Sequence, residues 1–375
     1  MDIRNGFLSA LLLIMTGTLA VADGKDSVVL VRENKAHDFG NAIPAGNYSG
    51  IVNVENDLYA LVSDKSKRGE IVFVRIKVDR KTGNIISAKH VYTLPTGERN
   101  MDNEDIVYCP RSRSFFIACE ETNEAKEFSI DKFAYNAKIT PTGKTLDFGD
   151  LKGKTYPNRG TESLAYDAAN NLFWTTTECP LKEDGTMVTA ECVSRQPLRL
   201  ISTDAEGNRR QYAYLMDAPE DGGKMKSIVC GVSAMTVLED GRLLVLEREL
   251  HIPDGYLGAF SVMKIYAVDV ENEVQIGQGD TLSDASPFVS KQLVCRWRTS
   301  LGLLSHSFAN YEGMCLGPRL DDGSQVIMLV SDSQNQFAGV LSDWFKSIVL
   351  SDERFCNVLS SLCFESVSYR SRAER

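Results

Sequence analysis

The sequence predicts an all-β protein, a β-propeller of five to six four-stranded blades closed by pairing of its N- and C-terminal strands. Three observations predict it. A strand–turn–strand plan recurs five times along the chain. Each copy is followed by one or two further strand-like runs, which gives about four strands per unit, the size of a propeller blade. No stretch carries the sustained helical apolar period of a long amphipathic helix.

Taken in order, residues 1–22 come first. A charged start, an uncharged apolar run over 6–22 and the small-residue end Ala20-Val21-Ala22 read as a secretory signal peptide. Retention as a membrane anchor is the alternative, weakened by Gly17, Thr16 and Thr18. The expected location is periplasmic or secreted, with no membrane attachment after cleavage. No later segment is apolar for long enough to span a bilayer.

Residues 26–350 are the expected propeller. Its repeats are GIVNVENDLYALVSD (50–64), EDIVYCPRSRSFFIACEE (104–121), ESLAYDAANNLFWTTTE (162–178), VSAMTVLEDGRLLVLERE (232–249) and EGMCLGPRLDDGSQVIMLVSD (312–332). Their turns are rich in Asn, Asp and Gly, which tolerate the positive φ of tight hairpins. Their flanks are rich in the β-branched and aromatic residues that strands favour. A lone blade leaves both faces exposed, so blades must stack, and a closed ring removes the free ends. VVLVRE (28–33) is placed to complete the blade that WFKSIVL (344–350) begins. Residues 351–375 break the pattern and form a polar C-terminal tail.

The net charge is −10 and no basic stripe occurs, which argues against a nucleic-acid partner. The nine cysteines are odd in number, so they cannot all pair within one chain. Cys109 and Cys119 flank a hairpin turn, and Cys179 and Cys192 bracket a polar loop. Each pair is either a staple or two separate thiols. No spacing suggests zinc. No GxSxG elbow, P-loop, dinucleotide fingerprint or HExxH motif occurs.

In a propeller, residues at one point of every repeat converge on one axis. Here the first strands begin with Glu104-Asp105, Glu162 and Glu312. The second strands end with Asp64, Glu120-Glu121, Glu178, Glu247-Arg248 and Asp332. Carboxylates crowded at one axis repel, and a cation, an arginine or protonation must offset that. Calcium, which accepts many oxygen ligands in flexible geometry, is the expected cofactor. Turn closure and blade-edge pairing with lysine are the structural alternatives. Arg159 precedes Glu162 and is placed either to fork onto an anion or to pair with an acid between blades. His251 and His306 lie near two of these strand ends.

NRGTESLAYD (158–167), RQYAYLMD (210–217), LLVLERE (243–249), NYEGMCLGPRLDDG (310–323) and VIMLVSDSQN (326–335) together resemble the bacterial phytase-like family, or "esterase-like activity of phytase", over about residues 45–350. The resemblance implies an exported β-propeller that hydrolyses esters or phosphoesters. SDSQN stands where relatives tend to carry SDDN, which removes one acidic candidate. The resulting expectation is a metal-assisted hydrolase, monomeric, taking a small anionic ester. Glu162 and Glu312 are its acid/base candidates. Arg159 and Arg248 are its substrate-binding candidates. Glu104, Asp105 and Asp332 are its metal ligands. The alternative is a non-catalytic propeller that binds a ligand or protein.

Overall fold

The computed structural model describes residues 27–149, 151–302, 307–334, 336 and 341–352. The expected signal peptide, nearly all of the expected tail, and His306 lie outside these residues.

Strands follow one another in simple order. β1 is Val28–Glu33 and β2 the two-residue His37–Asp38. The first blade is β3 (Tyr48–Glu55), β4 (Leu58–Ser63), β5 (Glu70–Val78) and β6 (Ile85–Pro95). The second is β7 (Asn103–Cys109), β8 (Ser114–Cys119), β9 (Glu124–Ile130) and β10 (Ile139–Asp147). The third is β11 (Thr161–Asp167), β12 (Leu172–Thr177), β13 (Gln196–Thr203) and β14 (Arg209–Met216). The fourth is β15 (Ser227–Val237), β16 (Leu243–Ile252), β17 (Phe260–Val268) and β18 (Lys291–Ser300). The fifth is β19 (Asn310–Arg319), β20 (Gln325–Asp332) and β21 (Trp344–Asp352), with β1 outermost.

There are thus five blades, and β1 pairs antiparallel with β21 from Val28↔Asp352 to Glu33↔Ile348. The N-terminal strand closes the ring, as the sequence predicts. Five apolar clusters fill the five seams. For example, Leu58 and Phe73 of blade 1 meet Ile106 and Phe115 of blade 2. Leu246 of blade 4 meets Val28, Ile327 and Leu350 of blade 5. Because each sheet is buried on both faces, β4, β8 and β20 read as continuous apolar runs rather than alternating ones.

The hairpin turns form where the sequence places them. Asn171 takes φ 56° in AlaAsnAsn and Gly241 takes φ 88° in GluAspGly. The open cysteine question is settled by register. Cys109 pairs with Ser114 and Cys119 with Asn103, so the two thiols stand at opposite ends of the β7–β8 ladder. Cys179 is buried while Cys192 is exposed, and all seven described cysteines are free.

Candidate functional site at the channel mouth

The inner strands β3, β7, β11, β15 and β19 share one irregularity. Each slips register at a corresponding level, between Tyr48/Gly50, Asn103/Asp105, Thr161/Ser163, Val232/Ala234 and Tyr311/Gly313. The extra residue at each bulge is Ser49, Glu104, Glu162, Ser233 or Glu312, and all five are buried. A bulge re-aims a side chain and bends the strand. Repeated five times at one level, it turns three carboxyl groups and two hydroxyls onto a common ring.

A second ring surrounds the first. The residue after each second strand is Asp64, Glu120 or Glu178; in β16 and β20 the equivalent positions are Arg248 and Asp332. Four of the five lean on a residue one or two before the next blade's bulge. Glu120 accepts the Gly160 N–H at 2.6 Å. The Glu178 backbone carbonyl accepts the Val232 N–H at 3.1 Å. Arg248 Nη1 donates to Asn310 Oδ1 at 3.2 Å. Asp332 pairs with Asn47. A Cβ on Gly160 would lie 2.9 Å from Glu120 Cγ, and one on Gly231 would lie 2.4 Å from Glu178 Cγ. These glycines make room for the neighbouring acid.

Arg248 is the cation that stands where the other blades carry acids. Its guanidinium donates to Glu312 at 2.5 Å and to Glu178, and lies 4.0 Å from Glu162. Asn310 Nδ2 also donates to Glu312, at 2.7 Å. Arg159 reaches Glu178 at 2.6 Å from a position 27% exposed. The structure therefore brings Glu104, Glu162, Glu312, Asp332, Arg159 and Arg248 to one mouth. Arg248 is committed to carboxylates, whereas Arg159 keeps part of its guanidinium at the surface.

Asp105 is placed differently. One oxygen accepts its neighbour's N–H at Ile106 and the other the Leu164 N–H, both at 2.8 Å. It ties blade 2 to blade 3 and packs where a Cβ on Gly50 would lie 2.8 Å from its Oδ1. With both oxygens spent on backbone, Asp105 serves the ring rather than a ligand. His251 is likewise a packing residue, stacked on Phe260 at 4.3 Å between ring centroids and 3.3 Å from Glu249.

Sequence reasoning missed Asp102 and Lys65. Asp102 stands two residues before Glu104, as Gly160 stands before Glu162 and Asn310 before Glu312. That repeated spacing was the available signal. A carboxylate oxygen from each of Asp64, Asp102 and Glu104 lies within 4.8 Å of the other two.

Crowding raises proton affinity here. Burial first, then the charges of Glu162 and Asp64, push the Glu104 carboxyl well above the usual range. Burial and then Glu178 do the same to Glu162 against the pull of Arg248. Burial and then Asp332 do so for Glu312, again against Arg248. Burial lifts Asp332 to about 6, opposed by the N–H of Gln334. Carboxyls with raised proton affinity in a cleft are the kind that hold and trade protons. Beside the mouth, a cleft of about 470 Å³ opens between the second and third blades, lined by Asp102, Glu120, Lys152 and Tyr156. A second, of about 240 Å³, lies on the far side of Arg159.

The ring and its mouth define the class: a five-bladed propeller with a buried acidic site at one end of its channel. The chain belongs to the phytase-like family, described as "esterase-like activity of phytase", whose profile matches residues 43–334. No curated protein matched it. Solved structures similar to it include a DUF4221 family member from Bacteroides vulgatus, with 9% identity, TM-score 0.36, and coverage of 87% of this chain and 98% of that one. A putative 6-phosphogluconolactonase from Bacteroides uniformis has 13% identity, TM-score 0.31, and coverage of 79% and 83%. A periplasmic gluconolactonase from Pseudomonas aeruginosa has 11% identity, TM-score 0.29, and coverage of 64% and 70%. The fold assignment rests on strand pairing, not on these likenesses. Among the described residues no helix is long and apolar enough to cross a membrane.

Proposed function

We propose that the acidic mouth is the active site of an exported hydrolase acting on a phosphoester or related ester, assisted by calcium. The observation that carries the reading is the convergence of three buried bulge carboxyls with the acids of the second ring on one opening. The family's description supports the same class of reaction. Glu162 and Glu312 hold and release protons at the reacting oxygen, with Arg248 fixing their positions. Arg159, at the rim between two clefts, meets the anionic end of the substrate.

The donors fit a hard cation. All are oxygens, and Asp64 Oδ1 is buried with no hydrogen-bond partner. Glu104 and Asp332 are the proposed ligands carried from the sequence, and Asp105 is dropped because its oxygens hold backbone N–H groups. When bound, calcium supplies the positive charge that lets an anionic ester approach carboxylates and polarises its bond.

A non-catalytic ligand-binding propeller is the second reading. It is favoured by Arg248, whose guanidinium already serves Glu178, Glu312 and Asn310. Thermal unfolding with calcium and with chelator, followed by phosphatase and esterase assays on the same samples, separates the two. Turnover abolished by chelator and by the double variant Glu162→Gln/Glu312→Gln is the expected result. Unchanged turnover in that variant sinks the assignment, and no turnover of either substrate class favours the binding reading.

A further inference from the structure

The seam between the first two blades gathers three carboxyl groups, two of them paired with one ammonium. Lys65 Nζ lies 2.6 Å from Asp64 Oδ2 and 3.0 Å from Asp102 Oδ1. Glu104 completes the trio. The pairing leaves acceptors over. Asp64 Oδ1 is buried without a hydrogen-bond partner, on a side chain only 10% exposed. Glu104 is 6% exposed and accepts no hydrogen bond among the described residues.

We propose that Asp64, Asp102 and Glu104 form a divalent-cation site of the calcium type, and that Lys65 is its tethered competitor. The inference deepens the metal-assisted reading, on which only its catalytic meaning rests. Carboxylate oxygens alone favour calcium over zinc or copper. Three protein carboxylates leave coordination positions open for water or a substrate anion. Lys65 sits on a flexible stem, 46% exposed, so its charge moves into water without disturbing packing.

The frame of the site does not depend on Lys65. The Asn100 side-chain amide donates to the carbonyls of Ser63, Asp64 and Ser66 at 2.9, 2.8 and 2.8 Å. Its oxygen accepts the Asn103 N–H at 3.0 Å. One side chain thus binds the loop bearing Asp64 to the segment bearing Asp102. Asp102 itself takes a left-handed φ of 58°, which aspartate tolerates.

Titrating calcium chloride into the purified, chelator-treated chain by calorimetry, with no substrate present, tests the proposal. Lys65→Met is expected to bind calcium about tenfold more tightly than the unaltered chain, because a competing charge is removed. Asp64→Asn/Asp102→Asn is expected to lose binding. Lys65→Gln is the second variant, and melting of each variant in chelator checks that it folds. Equal or weaker binding by both Lys65 variants, or binding kept by the double Asn variant, overturns the proposal. So does absence of calcium binding in every folded variant. Turnover that ignores calcium would sink the metal-assisted reading and leave this one standing.

Discussion

The two ends of the channel are built by the same five strands and obey opposite rules. At the mouth, the inner strands carry bulges, and buried acids surround Arg248. At the other end Ile51, Ile106, Leu164, Met235 and Met314, one from each of the same strands, line a cavity of about 220 Å³. The apolar end gains from burial alone. The polar end opposes folding unless each charge is met, so the two ends should respond to different perturbations.

The largest difference is expected at Arg248. Arg248→Met leaves buried Glu312 without its cation and Glu178 with Arg159 alone, and should cost about 3–5 kcal/mol in denaturant unfolding at neutral pH. The loss should shrink as pH falls and the carboxyls take up protons. At the apolar end, Met235→Ala should cost about 2–4 kcal/mol through the cavity it leaves, with no dependence on pH. If the two variants show the same pH profile, the contrast between the ends is wrong.

Glu104→Gln sharpens the contrast with a gain. A carboxyl whose folded pKa is raised binds a proton in the folded chain that the unfolded chain lacks. Stability from that group is therefore greatest below the unfolded value and falls as pH rises toward the folded one. In chelator at neutral pH, Glu104→Gln should be more stable than the parent, and the gain should shrink as pH falls toward the ordinary carboxylate range. For Asp332 the same decline runs between 3.8 and about 6, so Asp332→Asn should flatten the melting curve across that window. The smallest effect on stability is expected at the rim. Arg159→Ala should change it by less than about 1 kcal/mol while lowering turnover of an anionic ester.

Much of this contrast was legible in the sequence, and the unread part has a physical reason. The repeats, their Asn and Gly turns and the closing strand were visible because each is periodic or tied to one backbone conformation. Blade number was open between five and six because long loops, such as 178–195 after β12, resemble missing strands. The choice between Glu104 and Asp105 was beyond pattern reading. A bulge adds one residue without altering composition, and that residue decides which neighbour faces the mouth and which the next blade. Asp102 shares the spacing of Gly160 and Asn310 but not their residue type, and Lys65 sits in a loop with no repeat partner; Asn100, which bonds to both loops, helps bring them together.

The pairing of β1 with β21 carries a consequence for how the molecule is made. β1 leaves the ribosome first, yet its partner is about 320 residues further along, a separation that delays folding in any topology. Until β21 arrives, the fifth blade has no outer half and two bare strand edges stay open to other chains. Closure thus acts as a check on completeness. A polypeptide that stops short cannot seal the ring, and a chaperone or protease can distinguish it from a finished one by those edges alone.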